Sequence, residues 1–131
     1  MSRAGAIGLG AVLSASLGSC ARPLHQPPAA TEEYEMEVMS VGFPARTTTD
    51  APLDVDVEVT VGGCCRFGRF EATRTAARLT LRAIGTRTLN VPCLADIGWE
   101  HRIYTDPGTP ARTNPFEVVV NGTSYGMVAV P

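Results

Sequence analysis

Between Leu53 and Val61 the chain alternates without a slip. Leu53, Val55, Val57, Val59 and Val61 share one parity, and Asp54, Asp56, Glu58 and Thr60 take the other. Successive side chains of an extended backbone point to opposite faces, so this stretch is a strand with one dry, β-branched face and one wet, acidic face. Such a strand must lay its apolar side against a second layer. It then runs into Gly62-Gly63-Cys64-Cys65, a glycine corner that carries two adjacent cysteines.

The other alternating runs are shorter. Tyr34, Met36 and Val38 face away from Glu35 and Glu37 in a first strand over Glu32 to Phe43, and Pro44 to Pro52 forms a loop. Arg66 to Arg74 carries Phe67 and Phe70. Arg78 to Ile84 alternates until Gly85, read here as a break, and Thr88 to Cys93 resumes the pattern. Ala95 to Asp106 is less regular, and Ile97, Trp99, Ile103 and Tyr104 are expected to cover core edges. Pro107 to Pro115 is a turn or long loop. Asn121-Gly122 between Phe116–Val120 and Tyr125–Val130 is a strong hairpin signal, because both central residues of a type I′ turn need positive φ. No stretch has helical periodicity and no internal repeat is visible. The 131 residues suit one small domain. The expectation is an all-β, antiparallel sandwich of about seven strands.

All eleven basic residues are Arg, and the net charge is −2. The arginines alternate with apolar residues instead of clustering, which excludes the electrostatic footprint of a nucleic-acid binder or a basic membrane patch.

The N-terminus reads as a secretory signal. Arg3 supplies the charged region, Ala4 to Ser16 a short apolar stretch, and Gly18 and Ser19 the small residues before Cys20. Leu17-Gly18-Ser19-Cys20 resembles a bacterial lipobox. The resemblance implies cleavage before Cys20 and acylation of that cysteine, hence a membrane anchor. Residues 1–19 are then the signal and 20–31 a poorly ordered tether containing Pro23, Pro27 and Pro28. Residues 32–131 form the domain. Loss of Arg3 makes the mature chain one charge more acidic.

A wider resemblance rests on a sequence of features. The alternating strand and Gly-Cys corner are followed by Phe70-Glu71-Ala72-Thr73-Arg74, the Leu79-Thr80-Leu81-Arg82 strand, a further cysteine, and the hairpin opening Phe116-Glu117-Val118-Val119-Val120-Asn121-Gly122. Over roughly Leu53 to Val130 the chain resembles small immunoglobulin-like domains of bacterial envelope lipoproteins. That family usually has a Pro-Gly-X-Tyr run leading into the last hairpin. Here an extra Thr/Pro/Arg/Asn segment separates Pro107-Gly108 from Phe116. The resemblance implies a fold, not an activity.

With Cys20 acylated, Cys64, Cys65 and Cys93 remain, and an exported domain is expected to hold one disulfide. A bridge from the corner to Cys93 contributes about 3–4 kcal/mol on a chain-entropy account. Strict parity from Val61 points Cys65 inward, whereas a bulge at the glycines shifts the choice by one. The family resemblance favours Cys64. The pairing therefore stands as Cys64 or Cys65 with Cys93, with a vicinal bridge as a lesser alternative and the spare cysteine a free thiol.

The remaining motifs are weighed against plainer readings. Cys64, Cys65, Cys93 and His101 are zinc-type ligands at the wrong spacing, and nothing local marks Cys93 as a thiolate nucleophile with His101 as its base. Gly122-Thr123-Ser124-Tyr125-Gly126 matches a nucleophile elbow. That mechanism needs a following helix, an acid and a histidine, and only Met127 to Pro131 come after. The glutamates of Glu32 to Glu37 and the aspartates Asp50, Asp54 and Asp56 read as solvated strand faces in preference to cation sites. His25 falls in the tether and His101 in a loop. Trp99 is expected in the inter-sheet core, with a pocket shared by Trp99 and Tyr104 as the sharper alternative.

These readings converge on a non-catalytic, lipid-anchored envelope module without metal or cofactor, meeting the membrane through Cys20 and another envelope protein through loops or an edge strand. A small-ligand or inhibitor module is the first alternative and a thiol-based redox protein the second.

Overall fold

The computed structural model describes residues 30–131, so Cys20 and the signal and tether features lie outside the described residues. The described residues contain eight strands: β1 (Thr31–Glu35), β2 (Val38–Gly42), β3 (Leu53–Val61), β4 (Cys65–Arg74), β5 (Arg78–Thr88), β6 (Gly98–Asp106), β7 (Phe116–Val120) and β8 (Thr123–Val128). They form an all-β sandwich of a five-stranded and a three-stranded sheet.

In the larger sheet β5 is the axis. β4 lies along one side of it, and β1 and β7 share the other, with β8 beyond β7. β1 pairs antiparallel with Ile84–Thr88, while β7 pairs parallel with Arg78–Leu81. The smaller sheet has the order β2-β3-β6, all antiparallel. Leu53, Val55, Val57 and Val59 are fully buried against Leu79, Leu81, Ala83, Phe116, Val118 and Val120. The Leu53–Val59 alternation is thus the inner face of the middle strand of one sheet.

Three segmentations differ from expectation. Glu32 to Phe43 is two strands, because the chain changes sheets at Met36, whose side chain is buried and whose N–H donates to the Ala83 carbonyl at 2.9 Å. Gly85 does not break β5. It gives Met36 room: a Cβ there would stand 2.7 Å from Met36 Cγ and 2.8 Å from the Arg66 carbonyl oxygen. In turn, Thr88 to Cys93 is not a second run, since β5 ends at Thr88 and the chain is irregular until Gly98.

The glutamates of β1 meet arginines. Glu33 pairs with Arg69 at 2.6 Å, Glu35 with Arg82 at 3.0 Å and Glu32 with Arg87 at 2.6 Å, all exposed. Each such surface pair contributes little alone, about 0–1 kcal/mol. Inside, Asp106 ends β6 with its carboxylate buried, held by Arg74 Nε at 2.9 Å and Arg112 Nη2 at 2.6 Å. Arg112 also donates to the Thr48 carbonyl at 2.9 Å, which fastens the Pro107–Pro115 loop to the one before β3.

Candidate functional site

Cys64, Cys65, Cys93 and Tyr34 gather at the end of the sandwich where β3 turns into β4. Gly63 and Cys64 form a two-residue turn, closed by Gly62 and Cys65, whose N–H and C=O groups exchange hydrogen bonds at 2.9 and 3.2 Å. Gly63 takes φ +57°, the left-handed start of a type II′ turn, which glycine adopts without strain. The arms of this turn diverge into different sheets, so the corner is a hinge between layers.

The turn directs Cys64 outward to Cys93. The pair forms the disulfide, with Cα atoms 5.4 Å apart and a sequence separation of 29. This resolves the open choice: Cys64 is bridged and Cys65 is a half-buried free thiol. The bridge presses the irregular 89–97 segment onto the glycine corner. A Cβ on Gly62 would lie 2.1 Å from the Asp96 carbonyl oxygen, and one on Gly63 would lie 2.6 Å from that of Leu94. Glycine is required here by the approach of another backbone.

Cys65 faces Tyr34 in a shallow, open cavity of about 250 Å³, lined also by Glu37, Thr60, Val61, Gly62 and Ile97. Burial, and then a hydrogen bond with the Cys65 sulfur, pushes the Tyr34 hydroxyl up to about 12, while the Arg87 guanidinium lies 4.6 Å from the Tyr34 ring centroid. The cavity is below the usual size of a small-molecule site, about 300–1,000 Å³. Sequence reasoning missed this grouping, because Tyr34 and Cys65 meet only through their shared neighbour β5.

Trp99 and Tyr104 do not form a common pocket. They are five residues apart on β6, so their side chains take opposite faces. Tyr104 packs inward, edge-on to Phe70 with ring centroids 5.9 Å apart. Trp99 stands outside, 61% exposed, rather than in the core. Ile97 and Ile103 are likewise exposed, not core edges.

His101 lies on β6, not in a loop, and shares the outer face with Trp99 and Ile103. Its Nδ1 is 3.0 Å from Asp56 Oδ1 and its Nε2 3.0 Å from Glu58 Oε2. The hydrogen bond and charge of Asp56, reinforced by Glu58, hold the imidazole above its ordinary value of 6.5. Asp54 is occupied by the Thr105 hydroxyl at 2.7 Å. β6 pairs only with β3 among the described residues, so its other backbone edge is open.

The zinc-type residues are scattered by this geometry: Cys64 and Cys93 bond to each other, Cys65 meets Tyr34, and His101 sits between carboxylates. Among the described residues no group of three or more His, Cys, Asp or Glu is arranged to hold a metal ion. Ser124 of the elbow-like motif is on β8, where its hydroxyl donates to Glu117 Oε2 at 2.9 Å. No family model, curated protein or solved structure matches this chain.

Proposed function

We propose that the protein is a lipid-anchored envelope module, joined to a membrane through Cys20, with an immunoglobulin-like sandwich that binds another envelope protein. The partner is read as an extended segment that adds along β6. Such an addition supplies main-chain hydrogen bonds at the open edge and side-chain contacts on the adjoining face. That face carries exposed Ile103 and Trp99, so an extended segment presenting apolar side chains is the complementary sequence.

The observation that carries this reading is the open edge of β6 with Ile103 62% exposed upon it. An edge strand exposes unpaired N–H and C=O groups that template pairing with another chain, and Ile103 together with Trp99 makes the face beside this edge apolar. The Leu17-Gly18-Ser19-Cys20 sequence supports the anchor, and the Cys64–Cys93 bridge is in keeping with an oxidising compartment.

Mass spectrometry of the mature protein tests the anchor. The expected product begins at an acylated Cys20, and Cys20→Ser releases the protein from membranes. A soluble, unacylated mature chain refutes that part. A photoreactive side chain at position 103 should give one discrete adduct in intact cells, and one at position 82, on the other sheet, none. Equal labelling at both positions removes the case for β6.

The free thiol favours a second reading, a thiol-based site at the Tyr34–Cys65 cavity. Native labelling decides it: an unreactive Cys65 eliminates this reading.

A further inference from the structure

Apolar side chains are unevenly spread over this surface. Four of the exposed large ones fall within nine consecutive residues: Val91 at 40%, Leu94 at 79%, Ile97 at 71% and Trp99 at 61%. All four belong to the irregular segment and the first two residues of β6, at the disulfide corner. Isolated exposed apolar residues are ordinary, but a run of them on one end of a domain is not.

The segment is also held out firmly. Cys93 is tied to Cys64, and the Leu94 and Asp96 carbonyls rest against Gly63 and Gly62. Presenting these side chains therefore costs little ordering at the moment of contact, the advantage of a preorganised surface.

The chain enters the domain at this same end. The Ala30 carbonyl accepts the Leu89 N–H at 2.7 Å, Thr31 pairs with Thr88, and the Thr88 N–H reaches the Cys64 carbonyl at 3.0 Å. Nine residues lie between Cys20 and Ala30. Fully extended, the stretch from one to the other spans at most about 35 Å, so an acyl group on Cys20 keeps this end near the bilayer.

We propose that Val91, Leu94, Ile97 and Trp99 seat this end of the sandwich on the lipid surface to which Cys20 is joined. The inference rests on the anchor reading above and adds a second point of contact to it. Trp99 suits the position, since an indole carries an apolar body and a polar N–H and favours the headgroup level. The charge pattern selects the kind of membrane. From Leu89 to Ile97 the only charged residue is Asp96, so nothing in the segment seeks anionic headgroups. The contact is with the apolar–polar boundary of a bilayer, including a purely zwitterionic one, and it resists salt.

Trp99 is the only tryptophan in the chain and reports directly on the contact. The mature protein as purified from cells is reconstituted into phosphatidylcholine vesicles, with and without bromine on the acyl chains, and floated on a density gradient. The expected result is flotation with Trp99 emission blue-shifted and quenched by bromine, unchanged by added phosphatidylglycerol or by high salt. Leu94→Ser with Ile97→Ser should still float and lose the quenching. Both positions are exposed, so the core is undisturbed, and an intact Cys64–Cys93 bridge by mass confirms folding. Met127→Ser, at an exposed apolar residue on β8, should keep the quenching.

Flotation with a solvent-exposed, unquenched Trp99 overturns the seating and leaves the anchor standing. Failure to float overturns the anchor and the seating with it. Quenching that survives the double serine variant overturns the seating through Leu94 and Ile97, and Trp99 shielded without lipid in a particle the size of a dimer overturns it in favour of a second copy of the chain.

Discussion

The Asn121 side chain donates from Nδ2 to the Met36 carbonyl at 2.7 Å, across 85 residues of sequence. Its Oδ1 accepts the Ala83 N–H at 2.9 Å, and its own N–H donates to the Leu81 carbonyl at 2.8 Å. Asn121 thus fills the point on the flank of β5 where β7 has ended and β1 has not begun. It does so at φ +49°, within the hairpin turn.

Asn121→Ala removes two partly buried hydrogen bonds and places a Cβ without compensation in the left-handed region. The combined cost is about 2–4 kcal/mol. Urea unfolding should show a lower midpoint with an unchanged slope. Asn121→Gly relieves the backbone but not the missing partners, so it should recover only part of the loss.

Asp106 offers a sharper test of the interior. Its buried carboxylate lies between Arg74 and Arg112, and Arg112 is itself almost wholly buried. Asp106→Ala leaves two cations facing each other without an anion, a loss of about 3–5 kcal/mol. Thermal unfolding should fall steeply, and the Pro107–Pro115 loop should become sensitive to protease.

The two adjacent cysteines should behave oppositely. Cys64→Ser opens the bridge to Cys93 and forfeits about 3–4 kcal/mol. Cys65→Ser leaves the bridge in place and should change stability far less. Denaturant curves of the two variants, with and without reductant, check the assignment: reductant should weaken Cys65→Ser and leave Cys64→Ser unmoved.

His101 has a carboxylate at each ring nitrogen. The imidazolium can donate to both, whereas the neutral ring can satisfy only one. Its folded pKa therefore lies above 6.5. The interaction is fully present below the unfolded value and fades as pH rises through the folded one. An NMR titration of the ring protons should place the midpoint above 6.5, and Asp56→Asn should lower it.

Much of this architecture was legible because one rule, two-residue periodicity, governs both packing and exposure. β3, the start of β5, and β7 follow it, whereas β8 changes parity between Tyr125 and Val128, and the Asn121-Gly122 turn adopts the expected positive φ values. The misreadings arose where tertiary neighbours decide. Gly85 looks like a break until Met36 is placed above it. Met36 reads as one more alternating residue until the chain is seen to change sheets there. Trp99 carries the parity of an outer face, but its size suggested a core. The site was less visible still. Asp106 shares parity with inward-facing Tyr104, a signal of a buried charge, yet its arginines come from other elements. Cys64 rather than Cys65 was decided by a turn whose geometry depends on the backbone of residues 94–96.

The change of sheets at Met36 also fixes how the domain bears load. Tension entering through Ala30 acts first on β1, the five residues Thr31–Glu35 on one flank of β5. Peeling can proceed only as far as Glu35. Beyond it the next residue is locked in the slot over Gly85, and β2 belongs to the opposite layer. Pulling further means separating the two sheets, so the first strand works as a sacrificial link and the crossing behind it as the stop.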